Sequence, residues 1–434
     1  MVLFADRIHR IGTENAFKIG PHIVAAEGES SRLVVRLNIG EPDFNIPEWV
    51  KDEVKEQIDA NNTHYTDPKG VLSLREVVSQ QMNETRGLQS TPEEVVVFPG
   101  LKPAIGFAQE VYCNPGDEVI YPSPGYPIYE SFTRYLELEP RPLILRESNA
   151  FSFCAKELED IITDKTRLIY INFPSNPTGG VTTQEQLREI ADLIVNKCHP
   201  DVRVFSDEMY EHIVFDGASH LSIASMPGMR ERTIVASGLS KTYAWTGGRI
   251  GYAVFPTVEE ADVFKNMNIN YFSCTSPYNQ EGARVALTHP NAAGRIAEMV
   301  STFKKRRDYL VKRLNTIDGI TCTNPSGTFY LFPNIEGACK KLGVFDAFDA
   351  LDEAIKEKTS PATMVQMFLL YRHQVAVLDR RSFGVIDSEG QHYLRLSYAA
   401  NDDDLKEGAD RIEQACQDTK SFQTFVNTHL HLFQ

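Results

Sequence analysis

The stretch Ser237-Gly-Leu-Ser-Lys241-Thr-Tyr-Ala-Trp-Thr-Gly-Gly-Arg249 follows an apolar run, Thr233-Ile-Val-Ala236, that is typical of a β-strand. Its glycines and serines predict a turn that fixes Lys241 at the strand end, with Arg249 eight residues further on. Such a lysine amine can form a Schiff base with an aldehyde cofactor, and the arginine can bind that cofactor's phosphate. Because an isolated lysine is more often a solvated surface charge, this interpretation depends on the rest of the chain.

The composition is that of a globular protein, and its charge disfavours polyanionic partners. The chain has 434 residues, 42% of them hydrophobic, and a formal net charge of −15, which argues against DNA, RNA and anionic membrane surfaces as partners. No apolar stretch reaches the length of a membrane span, and the N-terminal residues lack a signal-peptide pattern. The seven cysteines are scattered, which is typical of free thiols in a reducing compartment. We therefore expect a soluble cytoplasmic protein.

Short runs of valine, isoleucine and leucine alternate with helical patterns through the middle of the chain. We expect strands at 94–98, 118–121, 167–171, 202–205, 233–236 and 250–255. Apolar runs that are continuous, not alternating, indicate strands buried on both faces. The pattern predicts an α/β fold in which a mostly parallel sheet is covered by helices.

The pattern changes near residue 300. A long charged helix, Ala297 to Leu314, precedes expected strands at 327–332, 374–378 and 392–397 and a closing helix at 402–415. We expect a large domain over 51–300 and a smaller α+β domain over 301–434. Residues 1–50 form an N-terminal arm that joins the small domain through the extended run 33–37.

Several expected strands end in polar or glycine-containing turns, where ligands of such sheets bind. Pro99-Gly100-Leu101-Lys102 opens a helix whose first N–H groups can bind phosphate. A proline-rich loop presents Tyr126 for stacking on a flat ring, and Asn176 presents an amide. Asp207, at the end of a buried strand, needs a partner such as a protonated ring nitrogen. A plain strand–helix turn, a packed aromatic ring and an N-cap aspartate are the respective alternatives.

Five motifs in this order resemble the class I aminotransferases, pyridoxal-phosphate enzymes of fold type I. They are Asn38-Ile-Gly40-Glu-Pro-Asp43, Asn176-Pro-Thr-Gly179, Asp207-Glu-Met-Tyr210, Ser240-Lys241 with Gly247-Gly-Arg249, and Leu394-Arg395-Leu-Ser. The resemblance covers most of the chain. It implies transfer of an α-amino group from an L-amino acid to a 2-oxo acid by a ping-pong mechanism.

The resemblance assigns contacts with pyridoxal phosphate residue by residue. It implies that Lys241 forms the Schiff base and then moves the proton at the substrate α-carbon. Asp207 would pair with the pyridinium nitrogen, and Asn176 and Tyr210 would hydrogen-bond the ring hydroxyl oxygen. The contacts with the ring face and the phosphate fall to Tyr126, Arg249, Ser240, Leu101 and Lys102.

The resemblance also implies a substrate clamp and a partner subunit. Arg395 would bind the substrate α-carboxylate through two hydrogen bonds, beside the backbone of Gly40. Tyr65, in His64-Tyr65-Thr-Asp-Pro-Lys-Gly70, matches a tyrosine that contacts the phosphate in the partner subunit. We therefore expect a homodimer. An aspartate-like donor is the default from family frequency, not from particular residues.

Three positions depart from the family pattern and bear on the substrate. Gly248 stands where many relatives have tryptophan, and Asp379-Arg380-Arg381-Ser-Phe-Gly384 replaces a Pro-Gly-Ser/Thr-type loop. Glu110 lies near the place of a lysine in relatives selective for dicarboxylates. Arg380 or Arg381 can supply an anion contact or lie exposed in a loop. Glu110 can favour a basic substrate or face solvent.

Two other functions remain open at this stage. The same fold and cofactor also support elimination or oxidation of amino acids, since one carbanion leads to each product. A non-catalytic cofactor-binding regulator would need an added DNA-binding domain, which the length and the charge oppose. No metal is expected: His429 and His431 resemble a ligand pair, but a frayed C-terminus is the preferred interpretation.

Overall fold

The computed structural model describes residues 3–12, 14–30, 32–384 and 392–433. Over these ranges the strands are β1 Val35–Arg36, β2 Val95–Pro99, β3 Glu118–Ser123, β4 Glu139–Ile144, β5 Thr166–Asn172, β6 Arg203–Asp207, β7 Thr233–Gly238, β8 Ile250–Val254, β9 Tyr330–Leu331, β10 Val375–Ala376, β11 Leu378–Asp379 and β12 Leu394–Ser397.

The α-helices of the same ranges follow the same order along the chain. They are α1 Asn15–Lys18, α2 Gly20–Glu29, α3 Glu48–Asp59, α4 Leu72–Arg86, α5 Lys102–Tyr112, α6 Ile128–Tyr135, α7 Ala155–Ile161, α8 Gln184–Lys197, α9 Leu239–Thr242, α10 Val258–Phe272, α11 Pro277–Thr288, α12 Ala292–Leu314, α13 Glu336–Leu342, α14 Val344–Asp349, α15 Glu353–Lys356, α16 Pro361–His373, α17 Asp402–Gln417 and α18 Thr419–Thr428.

A seven-stranded sheet in the order β2-β8-β7-β6-β5-β3-β4 confirms the predicted mostly parallel α/β fold. Only β8 runs antiparallel to its two neighbours among these described strands. The register sets Asn172 opposite Asp207, and Asp207 opposite Ala236. The carboxyl ends of β5, β6 and β7 therefore meet along one edge of the sheet.

Both faces of this sheet are covered, as the continuous apolar runs predicted. Along β2, Val96 and Phe98 belong to one buried cluster and Val95 and Val97 to another, and all four are fully buried. Since side chains alternate between the faces of a strand, the two clusters lie on opposite sides of the sheet.

Helix α8 illustrates how the sequence sets the covering helices. Thr183 caps its N-terminus by accepting a hydrogen bond from the Gln186 N–H, and the Gln186 side chain accepts one from the Thr183 N–H. Its buried face is formed by Leu187, Ile190, Ala191 and Ile194. This three-and-four spacing gives the helix one apolar stripe against the core.

The strands of the C-terminal part are shorter than expected. β1 pairs in parallel with β10, and β11, β12 and β9 form an antiparallel sheet. Of the expected strand 327–332, only β9 forms, because the backbone before it bonds elsewhere. The Gly327 N–H donates to the Gly179 carbonyl (3.0 Å) and the Thr328 N–H to the Ile213 carbonyl (2.9 Å). The C-terminal part is therefore hydrogen-bonded to the loops that contain Gly179 and Ile213, beside the large sheet.

The C-terminal segment is packed, so the expectation of a frayed tail was wrong. His429 stacks on Phe425 with 4.7 Å between ring centroids, and only 11% of its side chain is exposed. Within the described ranges, no group of three or more His, Cys, Asp or Glu side chains is arranged to hold a metal ion. None of the helices described there is both long and apolar enough to cross a bilayer. All seven cysteines are free.

Candidate active site

A cavity of about 530 Å³ opens at the edge where β5, β6 and β7 end. Eleven of the twelve residues singled out from the sequence line it: Gly40, Leu101, Lys102, Tyr126, Asn176, Asp207, Tyr210, Ser240, Lys241, Arg249 and Arg395. Motifs far apart in the sequence therefore meet in one place. Tyr65 lies outside this lining and is 87% exposed.

Lys241 lies on the short helix α9, directly after β7. Its Nζ donates a hydrogen bond to the Gly40 carbonyl oxygen at 2.6 Å. Burial lowers the pKa of Lys241 to about 8, although the carboxylate of Glu14 acts in the opposite direction. The amine is therefore much closer to its neutral, nucleophilic form near physiological pH than a solvated lysine is.

Asp207 ends β6 and is 5% exposed. Burial raises the pKa of Asp207 from 3.8 to about 6, even though its carboxylate accepts hydrogen bonds from the Tyr129 hydroxyl (2.8 Å) and the Met209 N–H (3.3 Å). Tyr129 is fully buried and stacks on Tyr170, with ring centroids 4.5 Å apart. A cationic N–H in the cavity would relieve the cost of burying this carboxylate.

Glu208, the next residue, points into a buried network behind the site. Its carboxylate accepts hydrogen bonds from Arg86 (2.8 Å) and Ser206 (2.9 Å) and lies 2.8 Å from a ring nitrogen of His220. Burial alone would raise the pKa of Glu208, but Arg86 and His220 hold it well below its usual value. This network ties the end of β6 to α4, and so fixes the backbone that carries Asp207.

Arg249 and the turn after β2 form one end of the cavity. Gly100 has a φ of +82°, and a Cβ there would lie 1.9 Å from the Arg249 Nη2. Glycine is thus required both by the backbone and by the close approach of the guanidinium. The first N–H groups of α5, which have no partner within the helix, follow this turn. Ser240 adds a hydroxyl, so this end suits a phosphate.

Arg395 also lines the cavity and is 4% exposed. Its Nη1 donates to the Asn176 side-chain oxygen (3.0 Å) and its Nη2 to the Asn38 carbonyl (2.6 Å). The guanidinium carbon also lies 4.4 Å from the ring centroid of Tyr330. These contacts hold the guanidinium in one orientation, as bidentate binding of a carboxylate requires.

Several residues in or beside the cavity were not predicted from the sequence. The hydroxyl groups of Tyr330 and Tyr210 share a hydrogen bond, with 2.9 Å between their oxygens. Glu14 and Phe17 reach the cavity from the N-terminal segment. Tyr129 lies three residues after Tyr126, but nothing in the local sequence indicates its contact with Asp207. Tyr330, Glu14 and Phe17 do not lie at the end of a strand of the large sheet, which is where the sequence pattern indicated ligand-binding groups.

The departure at Gly248 has a structural explanation. A Cβ at Gly248 would lie 2.2–2.5 Å from three atoms of the Trp245 indole ring. The space beside residue 248 is therefore filled by an aromatic ring from three residues earlier. A large side chain at position 248 and Trp245 in its present place exclude each other.

The other departures lie outside the cavity lining. Of the two alternatives for this arginine pair, exposure in a loop holds for Arg381 but not for Arg380. Arg380 is fully buried and donates hydrogen bonds to Ser123 and to the Gly384 carbonyl (3.1 Å each). Arg381 donates to backbone carbonyls of residues 357 and 359. Glu110 accepts a hydrogen bond from Tyr271 (2.9 Å). The alternatives of an anion contact for Arg380 or Arg381 and of a basic substrate for Glu110 therefore gain no support from this cavity lining.

The donor set fits pyridoxal phosphate. Lys241 supplies an amine for the aldehyde, and the buried Asp207 supplies an acceptor for a ring N–H. Arg249, Ser240 and the start of α5 supply donors for the phosphate. Arg395 remains for a substrate carboxylate.

Comparison with known proteins agrees with this geometry. A profile described as Aminotransferase class I and II matches residues 32–412. The bifunctional aspartate aminotransferase and glutamate/aspartate-prephenate aminotransferase of Petunia hybrida is 36% identical over 384 residues, 88% of this chain and 76% of that protein. Aromatic-amino-acid aminotransferase 2 of Thermococcus litoralis is 32% identical over 419 residues, 96% of this chain and 99% of that protein.

A solved structure extends the agreement to three dimensions. The crystal structure of the aspartate aminotransferase from Rhizobium meliloti matches with a TM-score of 0.85 at 33% identity, covering 96% of this chain and 99% of that one. These likenesses do not favour the elimination or oxidation alternative. The chain belongs to the class I and II aminotransferases and is a pyridoxal-phosphate-dependent aminotransferase.

Proposed function

We propose that the cavity carries out both half-reactions of a ping-pong transamination with the residue roles expected from the sequence. Lys241 holds the cofactor and, once released by the substrate, moves the proton at the α-carbon. Asp207 binds the protonated ring nitrogen, and Asn176 and Tyr210 bind the ring hydroxyl oxygen. Bound pyridoxal phosphate supplies the electron sink that makes the α-proton acidic.

The remaining groups hold the cofactor and the substrate. Tyr126 covers the ring. Arg249, Ser240 and the backbone of Leu101 and Lys102 bind the phosphate. Arg395, next to the Gly40 backbone, binds the α-carboxylate shared by amino acids and 2-oxo acids, which lets one site accept both substrates in turn.

The observation that carries this proposal is the proximity of one amine, one buried carboxylate and two guanidinium groups. Lys241, Asp207, Arg249 and Arg395 line the same cavity. A ligand with an aldehyde, a ring nitrogen and a phosphate, followed by a carboxylate substrate, would satisfy all four. Asp207 and Arg395 are 5% and 4% exposed, and burying these two charges would be costly without such ligand groups to pair with them.

The proposal extends to assembly and setting. We infer a homodimer in which Tyr65 reaches the phosphate of the partner subunit, and a cytoplasmic location. The domains are taken as 51–300 for cofactor binding and 301–434 for the smaller domain, with 1–50 as an arm joined to it. The named activities of the relatives include aspartate and aromatic amino acids, so both donor classes are candidates.

Substitution of Lys241 by alanine tests the proposal. Lys241→Ala should abolish turnover with every amino donor while Asp207 and Arg249 retain part of the cofactor affinity, measured by equilibrium dialysis. Transamination near the parent's rate would refute the role of Lys241. In the parent, amino acids alone should convert the bound cofactor to its amine form, and 2-oxoglutarate should reverse the absorbance change. Ammonia release without an acceptor would favour elimination or oxidation.

A further inference from the structure

The N-terminal segment forms one wall of the cavity. Glu14, Ala16 and Phe17 all line it. The segment is attached on two sides, since the Asn38 side-chain amide donates to the Ala16 carbonyl (3.3 Å) and the Asn15 amide donates to the Ser382 hydroxyl (3.0 Å). This wall is therefore a built part of the site.

This wall brings the Glu14 carboxylate into contact with Lys102, which also lines the cavity. One oxygen of Glu14 accepts hydrogen bonds from both the Lys102 ammonium and the Tyr126 hydroxyl, the latter at 2.9 Å. Only 17% of the Glu14 side chain is exposed. Burial and the neighbouring Glu14 raise the pKa of Tyr126 well above its usual value, so the phenol remains a donor to this carboxylate.

Among the basic side chains that line the cavity in the described ranges, that of Lys102 has no role in the proposed function. The basic side chains that line the cavity within the described ranges are Lys102, Lys241, Arg249 and Arg395. In the proposed function Lys241 binds the cofactor covalently, Arg249 binds its phosphate and Arg395 binds the substrate α-carboxylate. The side chain of Lys102 is the cation left to meet a substrate side chain, and Glu14 already pairs with it.

We propose that Glu14 is a specificity-determining residue that sets this site for amino donors without a side-chain carboxylate. This inference rests on the proposed transaminase function. A second carboxylate would have to displace Glu14 from Lys102 and Tyr126, or lie beside it and be repelled. An uncharged side chain would instead contact the apolar surface of Phe17, Ile39 and Ile105, which line the same cavity.

The test is Glu14→Gln, which keeps the size of the side chain and removes its charge. Charge-assisted hydrogen bonds contribute about 1.5–3 kcal/mol, which corresponds to roughly tenfold to a hundredfold in binding. We expect kcat/KM for aspartate and glutamate, relative to that for phenylalanine and leucine, to rise at least about tenfold. An unchanged ratio would overturn the proposal.

Two further variants distinguish the effect of removing the Glu14 charge from the effect of loosening the N-terminal segment. Glu137→Gln removes the ion pair that holds Arg10 of the same segment outside the cavity, and should leave the ratio unchanged. If it reproduced the effect of Glu14→Gln, loosening of the segment would be the cause and the proposal would fail. Adding Lys102→Met to Glu14→Gln should return the ratio to the parent's value, because the gain requires a released ammonium; a persisting gain would contradict the proposal.

Binding of non-reactive acids gives a readout that does not depend on turnover. Calorimetry should show tighter succinate binding to Glu14→Gln than to the parent, with little change for 3-phenylpropanoate. Equal succinate affinities would refute the role of Glu14. Failure of the underlying function is recognised separately, since then no amino acid would convert the cofactor of the parent protein to its amine form.

Discussion

Lys241 and Asp207 share one physical property: burial disfavours the charged form of each. The pKa of the lysine falls to about 8, and the pKa of the aspartate rises to about 6. Both values lie closer to neutrality than those of solvated groups, as is common at catalytic sites. Each side chain therefore changes its protonation state nearer to neutral pH than the same group does in water.

The lowered pKa of Lys241 can be measured directly. Only the neutral amine reacts with a small acylating reagent, so labelling of Lys241 in the cofactor-free protein should become half-maximal near pH 8, about where its pKa lies. The rate would be followed by peptide mass spectrometry, with the exposed lysines of the same sample as internal reference. A half-maximal rate above pH 10 would contradict the effect of burial.

The raised pKa of Asp207 predicts a conflict between stability and function. Because the pKa rises from 3.8 to about 6, the charged Asp207 lowers the free energy of unfolding of the cofactor-free protein by about 3 kcal/mol at pH 7. Asp207→Asn keeps an acceptor for Tyr129 without the charge, so it should raise the Tm at pH 7. It should also weaken cofactor retention, because the ring nitrogen loses its anion.

The sign of this pH dependence provides the control. Between pH 3.8 and about 6 the folded protein holds the Asp207 proton more tightly than the unfolded chain, so the cost falls as the pH falls through this window. The difference in Tm between Asp207→Asn and the parent should therefore shrink from pH 7 to pH 5. A difference that stayed constant with pH would have another origin.

Residue type and local motif explain which site residues could be predicted. Lys241 and Asp207 each follow a buried strand, and strand ends in such sheets carry ligand-binding groups. Glu14 lies in an N-terminal segment that shows no strand or helix pattern of useful length. Its meeting with Lys102 depends on how that segment crosses the cavity, which is a tertiary contact that sequence spacing does not encode.

At the scale of elements, the turn between β2 and α5 controls the phosphate end of the cavity. Gly100→Ala would place a Cβ 1.9 Å from the Arg249 Nη2 and force an alanine to a φ of +82°. We expect Arg249 to be displaced and the affinity for pyridoxal phosphate to fall by about tenfold or more, since charge-assisted hydrogen bonds are lost. Equilibrium dialysis of the purified variant measures this affinity.

Gly116→Ala is the matched control for that experiment. Gly116 has a similar φ of +87°, but its added Cβ would meet no heavy atom within 4 Å. The backbone strain, of order 1 kcal/mol, is thus present in both variants, whereas the contact with Arg249 occurs only in one. Equal losses of cofactor affinity would show that strain, not displacement of Arg249, is responsible.

A helix or strand can be predicted from the sequence to the extent that its own residues determine where it begins and ends. Six of the seven strands of the large sheet matched their apolar runs to within about two residues, because these runs are buried on both faces. The edge strand β4 was not predicted, because its first four residues, Glu-Pro-Arg-Pro, do not form an apolar run and are not buried. The strand expected at 374–378 instead split into β10 and β11. Gln374 caps α16 in a left-handed conformation with a φ of 51°, so the first strand begins only after it. That backbone choice depends on the preceding helix and not on the apolar run.

At the scale of the whole molecule, the residue that does not line the cavity, Tyr65, lies on exposed surface. Tyr65 is 87% exposed, yet its loop is anchored, since Asn268 donates to the Pro68 carbonyl (2.9 Å) and Lys69 pairs with Asp262 (2.9 Å). Both anchors belong to α10, whose Ile269 is 45% exposed. The homodimer proposed above would cover exposed side chains of this kind.

The proposed homodimer leads to a prediction about Tyr65 and Ile269 together. Tyr65→Phe should weaken binding of pyridoxal phosphate by about tenfold if the hydroxyl reaches the phosphate of the partner subunit, since one hydrogen bond to a charged group is lost. Ile269→Glu, which places a charge on the exposed part of α10, should yield monomers by sedimentation, whereas Val195→Glu on α8 should not. In the monomeric background Tyr65→Phe should have no further effect, because the hydroxyl then has no partner site to reach. A parent protein that sediments as a fully active monomer would refute the homodimer, and a further loss in the monomeric background would place the Tyr65 hydroxyl in its own subunit's site.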